Sequence, residues 1–257
     1  MTIRPYFASS SKVWSSIDWI FGIEECGYEG WEISADGNYR LTDPEALTRI
    51  KETVGSTNLR VSVHAPYTDL NMASLNYPIY QETVRQLSGC IESAGELTDR
   101  VTIHPGYLSP AAKLVPEKVW DLQKEALREL GRVGLDCGVL VCLENMINIE
   151  EFLCRYPDEI SGMVGDIEGV GMTFDVGHAN TVGVVNDFLN MINNVDHIHV
   201  HDNNGHSDEH LALGMGVINW DDVGHRIAEG YSGICVVEGR NIPEAAKSLD
   251  TLRRCFV

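Results

Sequence analysis

Between Asp196 and Gly216 the chain reads D-H-I-H-V-H-D-N-N-G-H-S-D-E-H-L-A-L-G-M-G and carries five of its nine histidines, at 197, 199, 201, 206 and 210. In the first half, histidine alternates with Ile or Val. That is the two-residue period of a strand, so His197, His199 and His201 share one face. The second half is rich in Asn, Gly, Ser and Asp and reads as a loop that carries Asp208 and His210. Imidazoles along one strand face, followed by a loop with a further carboxylate and imidazole, make a candidate metal cradle. The competing assignment is a polar surface loop beside hydrogen-bonded core histidines.

Similar residues close other short apolar runs. V-S-V-H-A-P-Y leads to His64 and Tyr67, V-T-I-H-P-G to His104, V-C-L-E-N to Glu144, M-T-F-D-V-G-H to Asp175 and His178, and V-V-E-G to Glu238, while Glu32 sits slightly earlier in its run. Taken singly, each could be a satisfied buried polar group. Together they would bury Glu144, Asp175 and Glu238 near one another with no cation from the chain, because none of its six lysines ends such a run. Uncompensated buried carboxylates are costly, and a bound metal neutralises them. Imidazole and carboxylate without thiolate suit zinc, manganese or iron better than magnesium.

These residues need elements that bring run ends together. Strands are expected at Ile3–Ala8, Gly30–Ser34, Leu59–His64, Arg100–His104, Val139–Glu144, Val170–Asp175, Asp196–His201 and Gly233–Glu238. Helical patterns fall between and after them, at Trp14–Glu25, Asp43–Thr53, Tyr77–Glu96, Pro116–Val133, Ile149–Met163, Val184–Ile192, Trp220–Ala228 and Pro243–Cys255. Thr42-Asp43-Pro44 and Asn219-Trp220-Asp221-Asp222 carry helix N-terminal signals. Eight evenly spaced strand-helix units predict a single α/β domain over residues 1–257, a closed (β/α)8 barrel, rather than an open doubly wound sheet. The strand ends of a barrel converge on one mouth, where catalytic groups gather.

Composition narrows the classes. With 257 residues, 44% hydrophobic and 22% charged, the chain has ordinary globular composition. No apolar run reaches a membrane span and no signal peptide is apparent, so a cytoplasmic protein is expected. Seven cysteines without a C-x-x-C predict free thiols and no cysteine zinc site. The net charge of −19 argues against duplex DNA as a partner, because phosphates reward the opposite sign. A homo-oligomer is compatible with the composition.

In this order on successive strands, His-Ala-Pro-Tyr (64–67), His-Pro-Gly (104–106), Glu-Asn (144–145), Asp-x-x-His (175–178), His-x-x-Asp (199–202), Asp-x-His (208–210) and Glu238 resemble the xylose-isomerase-like barrels, which include endonuclease IV and many sugar epimerases and isomerases. The resemblance covers nearly the whole chain. Endonuclease IV holds three zinc ions through nine side chains, and the resemblance implies His64, His104, Glu144, Asp175, His178, His199, Asp208, His210 and Glu238 for that role here. The epimerases hold one divalent metal through fewer groups, implying Glu144, Asp175, His199 and Glu238, with His178 touching substrate. His201 shares the face of His199, so a shift of two residues would exchange their roles; His199 is favoured because it gives the His-x-x-Asp spacing.

Two enzyme readings follow. One is a metal-dependent isomerase or epimerase of a small sugar or sugar phosphate, with Glu144 and Glu238 moving protons at a metal-stabilised enediolate and His64, Tyr67, His178 and His201 contacting substrate. The other is a hydrolase of phosphoric esters resembling endonuclease IV, with two or three ions. One to three ions are therefore expected, zinc foremost, with the five groups outside the shared set of four supplying any further position. Trp14, Trp31 and Tyr67 would either wall a sugar or pack in the core. A non-catalytic metal-binding barrel is a third reading, opposed by the number of ionisable groups expected in an open mouth.

Overall fold

The computed structural model describes residues 3–256. Met1, Thr2 and Val257, the ends of the expected domain, lie outside the described residues. Eight parallel strands close into a barrel in sequence order: β1 Ile3–Ala8, β2 Gly30–Ser34, β3 Arg60–His64, β4 Arg100–Ile103, β5 Leu140–Glu144, β6 Val170–Asp175, β7 His197–Val200 and β8 Gly233–Glu238. Helices α1 Ile20–Cys26, α2 Pro44–Gly55, α3 Tyr77–Ala94, α4 Pro116–Cys137, α5 Pro157–Val164, α6 Val176–Val182, α7 Val185–Leu189, α8 Trp220–Gly230 and α9 Ile242–Cys255 surround it. The expected (β/α)8 barrel is therefore the fold, and every expected strand is present to within a residue at each end.

Strand alternation divides the interior from the shell. The outward residues, such as Phe7, Ile33, Val63, Val101, Ile103, Val141, Phe174, Ile198 and Val237, pack with the helices into the main apolar core. The inward residues are unusually polar. Glu32, Ser62, Thr102, Thr173 and His197 are all fully buried inside the barrel, and the Thr102 and Thr173 hydroxyls share a hydrogen bond of 2.9 Å. A separate apolar cluster of Tyr6, Ala8, Ile234 and Val236 fills the β1–β8 side, and Gly30 leaves the room for the Tyr6 ring that a Cβ would occupy.

The helix caps follow their sequence signals. Asp43 accepts from the Glu45 and Ala46 amides, at 2.9 and 3.4 Å, with Pro44 opening α2, and Asn219 accepts from the Asp222 amide at the start of α8. Three helix expectations need correction. α1 starts at Ile20, not Trp14, because two short 3-10 turns at Ser10–Lys12 and Ile17–Trp19 carry the chain over the barrel rim. The helix expected from Ile149 starts only at Pro157, whose fixed φ opens it, and Phe152 on the preceding loop lines the mouth. Residues 176–182, given no helix in advance, form α6, opened by the Asp175 carboxylate accepting from the His178 amide at 2.6 Å.

Among the described residues no helix is long and apolar enough to cross a membrane. All seven cysteines are free, as expected.

Candidate metal centre

β5 and β8 each end on a glutamate, β6 ends on Asp175, and His199 stands on β7 between them. Pairing sets their heights: Asp175 lies opposite His199 in the β6–β7 register, and Glu238 opposite Ala8 in the β8–β1 register. His199 Nδ1 lies 3.0 Å from Glu144 Oε1, 3.3 Å from Glu238 Oε1 and 4.0 Å from Asp175 Oδ2. The four groups of the set shared by both family readings thus meet at one imidazole nitrogen. On one side of them His64 Nε2 and His104 Nε2 converge on Glu144 Oε2, at 3.3 and 3.0 Å. On the other, His201 Nε2 lies 3.3 Å from Asp175 Oδ1 and 3.2 Å from Asp208 Oδ1, and His210 bridges Asp208 Oδ2 at 3.0 Å and Glu238 Oε2 at 3.3 Å. His178 donates Nδ1–H to the Asn145 carbonyl at 2.8 Å and turns Nε2 to Asp208 Oδ2, 3.6 Å away.

The cluster is rich in negative charge held by histidine alone. Among the described residues no lysine or arginine pairs with Glu144, Asp175, Asp208 or Glu238. Burial would push the Glu144 carboxyl up, but His199, His104 and His64 outweigh it and hold the group well below the usual carboxylate range. The same opposition, with His178 and His210 as partners, keeps Asp208 ionised. In return His199 and His178 are held well above the usual imidazole value by the carboxylates around them, although burial alone would lower both. Burial also opposes the charge on His210, yet Asp208 and Glu238 raise it to about 9.

These donors fit a divalent metal. Several lie within 4.8 Å of one another in overlapping groups: His64, His104 and Glu144; Glu144, Asp175 and His199; Asp175, His178 and His201; His201, His210 and Glu238. Asp175 Oδ2, His201 Nε2 and Asp208 Oδ1 are buried without a hydrogen-bond partner, which is costly unless a cation satisfies them. Gly177 belongs to this geometry, because a Cβ there would come within 2.1 Å of the His201 ring.

A cavity of about 210 Å³ opens over the cluster, lined by His64, Tyr67, His104, Glu144, His178, Asp208, His210 and Glu238 together with the apolar Ile147 and Phe152. Tyr67 stacks on His104 with centroids 4.6 Å apart. Burial and the charges of Glu238 and Asp36 push its phenol up to about 12, so it remains a donor. Of Trp14, Trp31 and Tyr67, Tyr67 alone reaches the cavity, and Trp31 takes the core alternative. Trp31 faces outward and packs edge-on against Trp19 and Tyr39 in the core, since its neighbour Glu32 takes the inward side of the strand. Trp14 is exposed and lines a separate hollow beside Arg40 and Ile79. His201, expected to touch substrate, is fully buried beneath His210, which stacks on it at 4.2 Å, so it does not line the cavity. On strand seven it is His199 that joins Glu144 and Glu238.

A family model described as xylose isomerase-like TIM barrel matches residues 22–255. The chain belongs to this family. The uncharacterized protein MJ1311 of Methanocaldococcus jannaschii is 36% identical over 90% of this chain and 81% of its own length. A solved structure described as a D-tagatose 3-epimerase-like protein superposes with a TM-score of 0.91 at 34% identity, covering 98% of this chain and 96% of that one. Fructoselysine 3-epimerase of Escherichia coli O157:H7 is 23% identical over 83% of this chain and 82% of its own.

In this xylose isomerase-like barrel the histidine protons compete with any metal for the same nitrogens. A histidine binds metal only after shedding a proton, and the carboxylates around His199, His178 and His210 hold these protons more tightly than usual. Zinc binding at pH 7.5 is therefore expected to release protons, and affinity should rise with pH through about 9, where His210 loses its proton. In the metal-free chain the His210 proton has the opposite effect: it stabilises the fold fully below about 6.5 and progressively less as pH rises through about 9. Calorimetry in buffers of different ionisation heat measures the release; identical heats in all buffers would contradict it.

Proposed function

We propose that the protein is a metal-dependent isomerase or epimerase of a small sugar or sugar phosphate. One observation carries this reading: two carboxylates from different strands of the barrel, Glu144 and Glu238, approach the same imidazole beneath a cavity of about 210 Å³. The 34% identical D-tagatose 3-epimerase-like protein and the fructoselysine 3-epimerase support it.

Glu144, Asp175, His199 and Glu238 would hold the metal, and zinc, manganese or iron suits their donor set. The ion would supply a Lewis acid that lowers the cost of charge on a ketose carbonyl and its neighbouring hydroxyl. The chain supplies the proton transfers. Glu238, whose side chain is 14% exposed at the cavity wall, takes the proton from the carbon beside the carbonyl onto a carboxylate oxygen. Glu144, itself a carboxylate at rest, takes a proton from an imidazole on its Oε2, His64 or His104, and delivers it to the other face. The proton taken by Glu238 passes to solvent and solvent reprotonates the imidazole, so the carbon is inverted with no net change in protons. His64 and His104, both on Glu144 Oε2, fix the carboxylate that must change protonation state. Tyr67 and His178 line the wall as hydrogen-bonding groups for substrate hydroxyls, and Phe152 with Ile147 limits water. Incubation with ketohexoses and their phosphates in D2O tests the reading: an epimer carrying deuterium at the inverted carbon is expected, and epimer without deuterium would rule out this proton transfer.

A second reading, a phosphoric-ester hydrolase with several ions, draws on the continuity of the ligand groups from His64 and His104 through Glu144 and Asp175 to His178 and His201. Under either reading, duplex DNA is a poor substrate for a chain with 38 acidic and 19 basic residues. No gel shift and no incision of a duplex with one abasic site are expected at physiological salt with zinc or manganese present. Incision dependent on Glu144 would promote the hydrolase.

A further inference from the structure

Glu32 stands on β2 below the cavity, fully buried, and has no part in the chemistry above. Its two oxygens are divided among three partners. Ser62 Oγ donates to Oε2 at 2.8 Å, and His197 Nε2 lies 2.8 Å from that same oxygen. Oε1 is left to His199, whose Nε2 lies 2.8 Å from it. His199 therefore spans two carboxylate layers, with Nδ1 turned up to Glu144 and Glu238 and Nε2 turned down to Glu32. Among the described residues no lysine or arginine pairs with Glu32.

An imidazole can ligate a metal through one nitrogen when the other keeps its proton, and a carboxylate bonded to that second nitrogen fixes both the tautomer and the ring. We propose that Glu32 is a positioning residue for His199: it accepts the Nε2 proton and so presents the Nδ1 lone pair to the metal position between Glu144, Asp175 and Glu238. The inference rests on the metal-site reading above. His197 and Ser62 act one step further out, anchoring Oε2 so that Oε1 keeps its place. The contact between Nε2 and Oε1 is short but bent, since neither atom completes an aligned hydrogen bond. Glu32, His197 and His199 are themselves close enough to hold an ion. Against that alternative, Ser62 and His197 already occupy Oε2, and neither Glu32 nor His197 reaches the cavity wall, as Glu144 and Glu238 above them do.

The test is zinc affinity by chelator competition for the wild type, E32Q and S62A, with long-range proton–nitrogen NMR of the zinc-loaded protein. In E32Q the amide can offer its own N–H to Nε2 and favour the other tautomer, so affinity should fall about 10–100-fold. S62A touches only Oε2 and should lose far less. The wild-type spectrum should show the His199 proton on Nε2 and its resonance should move in E32Q, a change that mere loosening of the barrel would not produce. Unchanged affinity with an unchanged His199 resonance in E32Q overturns the proposal, and so does an anomalous zinc peak among Glu32, His197 and His199. If E32Q does not fold, the wild-type spectrum decides, and a proton on Nδ1 overturns it. A wild type that takes up no zinc defeats the underlying metal reading instead.

Discussion

Replacing Glu144 by Gln is expected to lower turnover at least ~10³-fold, and E238Q should do the same, because each change removes both a proton-transfer group and a charged ligand. The two variants should differ in metal retention. Glu144 is buried and touches His64, His104 and His199, so E144Q leaves three imidazoles facing a neutral amide and should lose metal during purification. Glu238 touches His199 and His210 from the partly exposed cavity wall, so E238Q should retain part of its metal and still be inactive. Metal analysis beside steady-state kinetics separates the two effects. If both variants kept full metal and full turnover, neither glutamate would have the assigned role.

With a metal bound as proposed, its removal is expected to lower the melting temperature by about 10 °C. Ligand that binds only the folded state at 1,000 times its Kd adds about 4 kcal/mol, and for a domain of this size each kcal/mol moves the midpoint by ~2–4 °C. The physical source is the set of buried carboxylates and unsatisfied atoms, Asp175 Oδ2 and Asp208 Oδ1 among them, that protons on neighbouring histidines offset only in part. Zinc or manganese should restore the midpoint after chelation, and magnesium much less, because imidazole nitrogen supplies so many of the donors. A midpoint unmoved by chelation, in protein shown to have carried metal, would mean that the cluster is satisfied without a cation.

Much of this site was legible because a strand alternates strictly and a barrel gathers strand ends. His64, Glu144, Asp175 and Glu238 each follow outward apolar residues at period two, and the closed barrel then brings them together. The same rule, applied one residue further, excludes Trp31 from the mouth, because Trp31 and Glu32 cannot face the same way. Depth along the barrel axis was not legible. His197, His199 and His201 share a face, but only the register with β6 and β8 shows that His197 lies under the site, His199 in it, and His201 behind His210. Glu32 was visible as a polar residue early in its run, but its pairing with His197 and His199 joins residues far apart in sequence. The loop before Pro157 was missed because Ile149, Phe152 and Leu153 keep a helix-like spacing, although Phe152 serves the cavity wall, Leu153 the core, and Ile149 is exposed.

The most direct test of the central claim is anomalous scattering from crystals grown without chelator and soaked in manganese or zinc. A peak is expected within ligand distance of Glu144, Asp175, His199 and Glu238. A second is expected among the remaining donors, where His64 and His104 or His178, Asp208 and His210 converge. A fully soaked crystal with no peak between Glu144 and His199 would contradict the assignment of this barrel mouth as a metal centre.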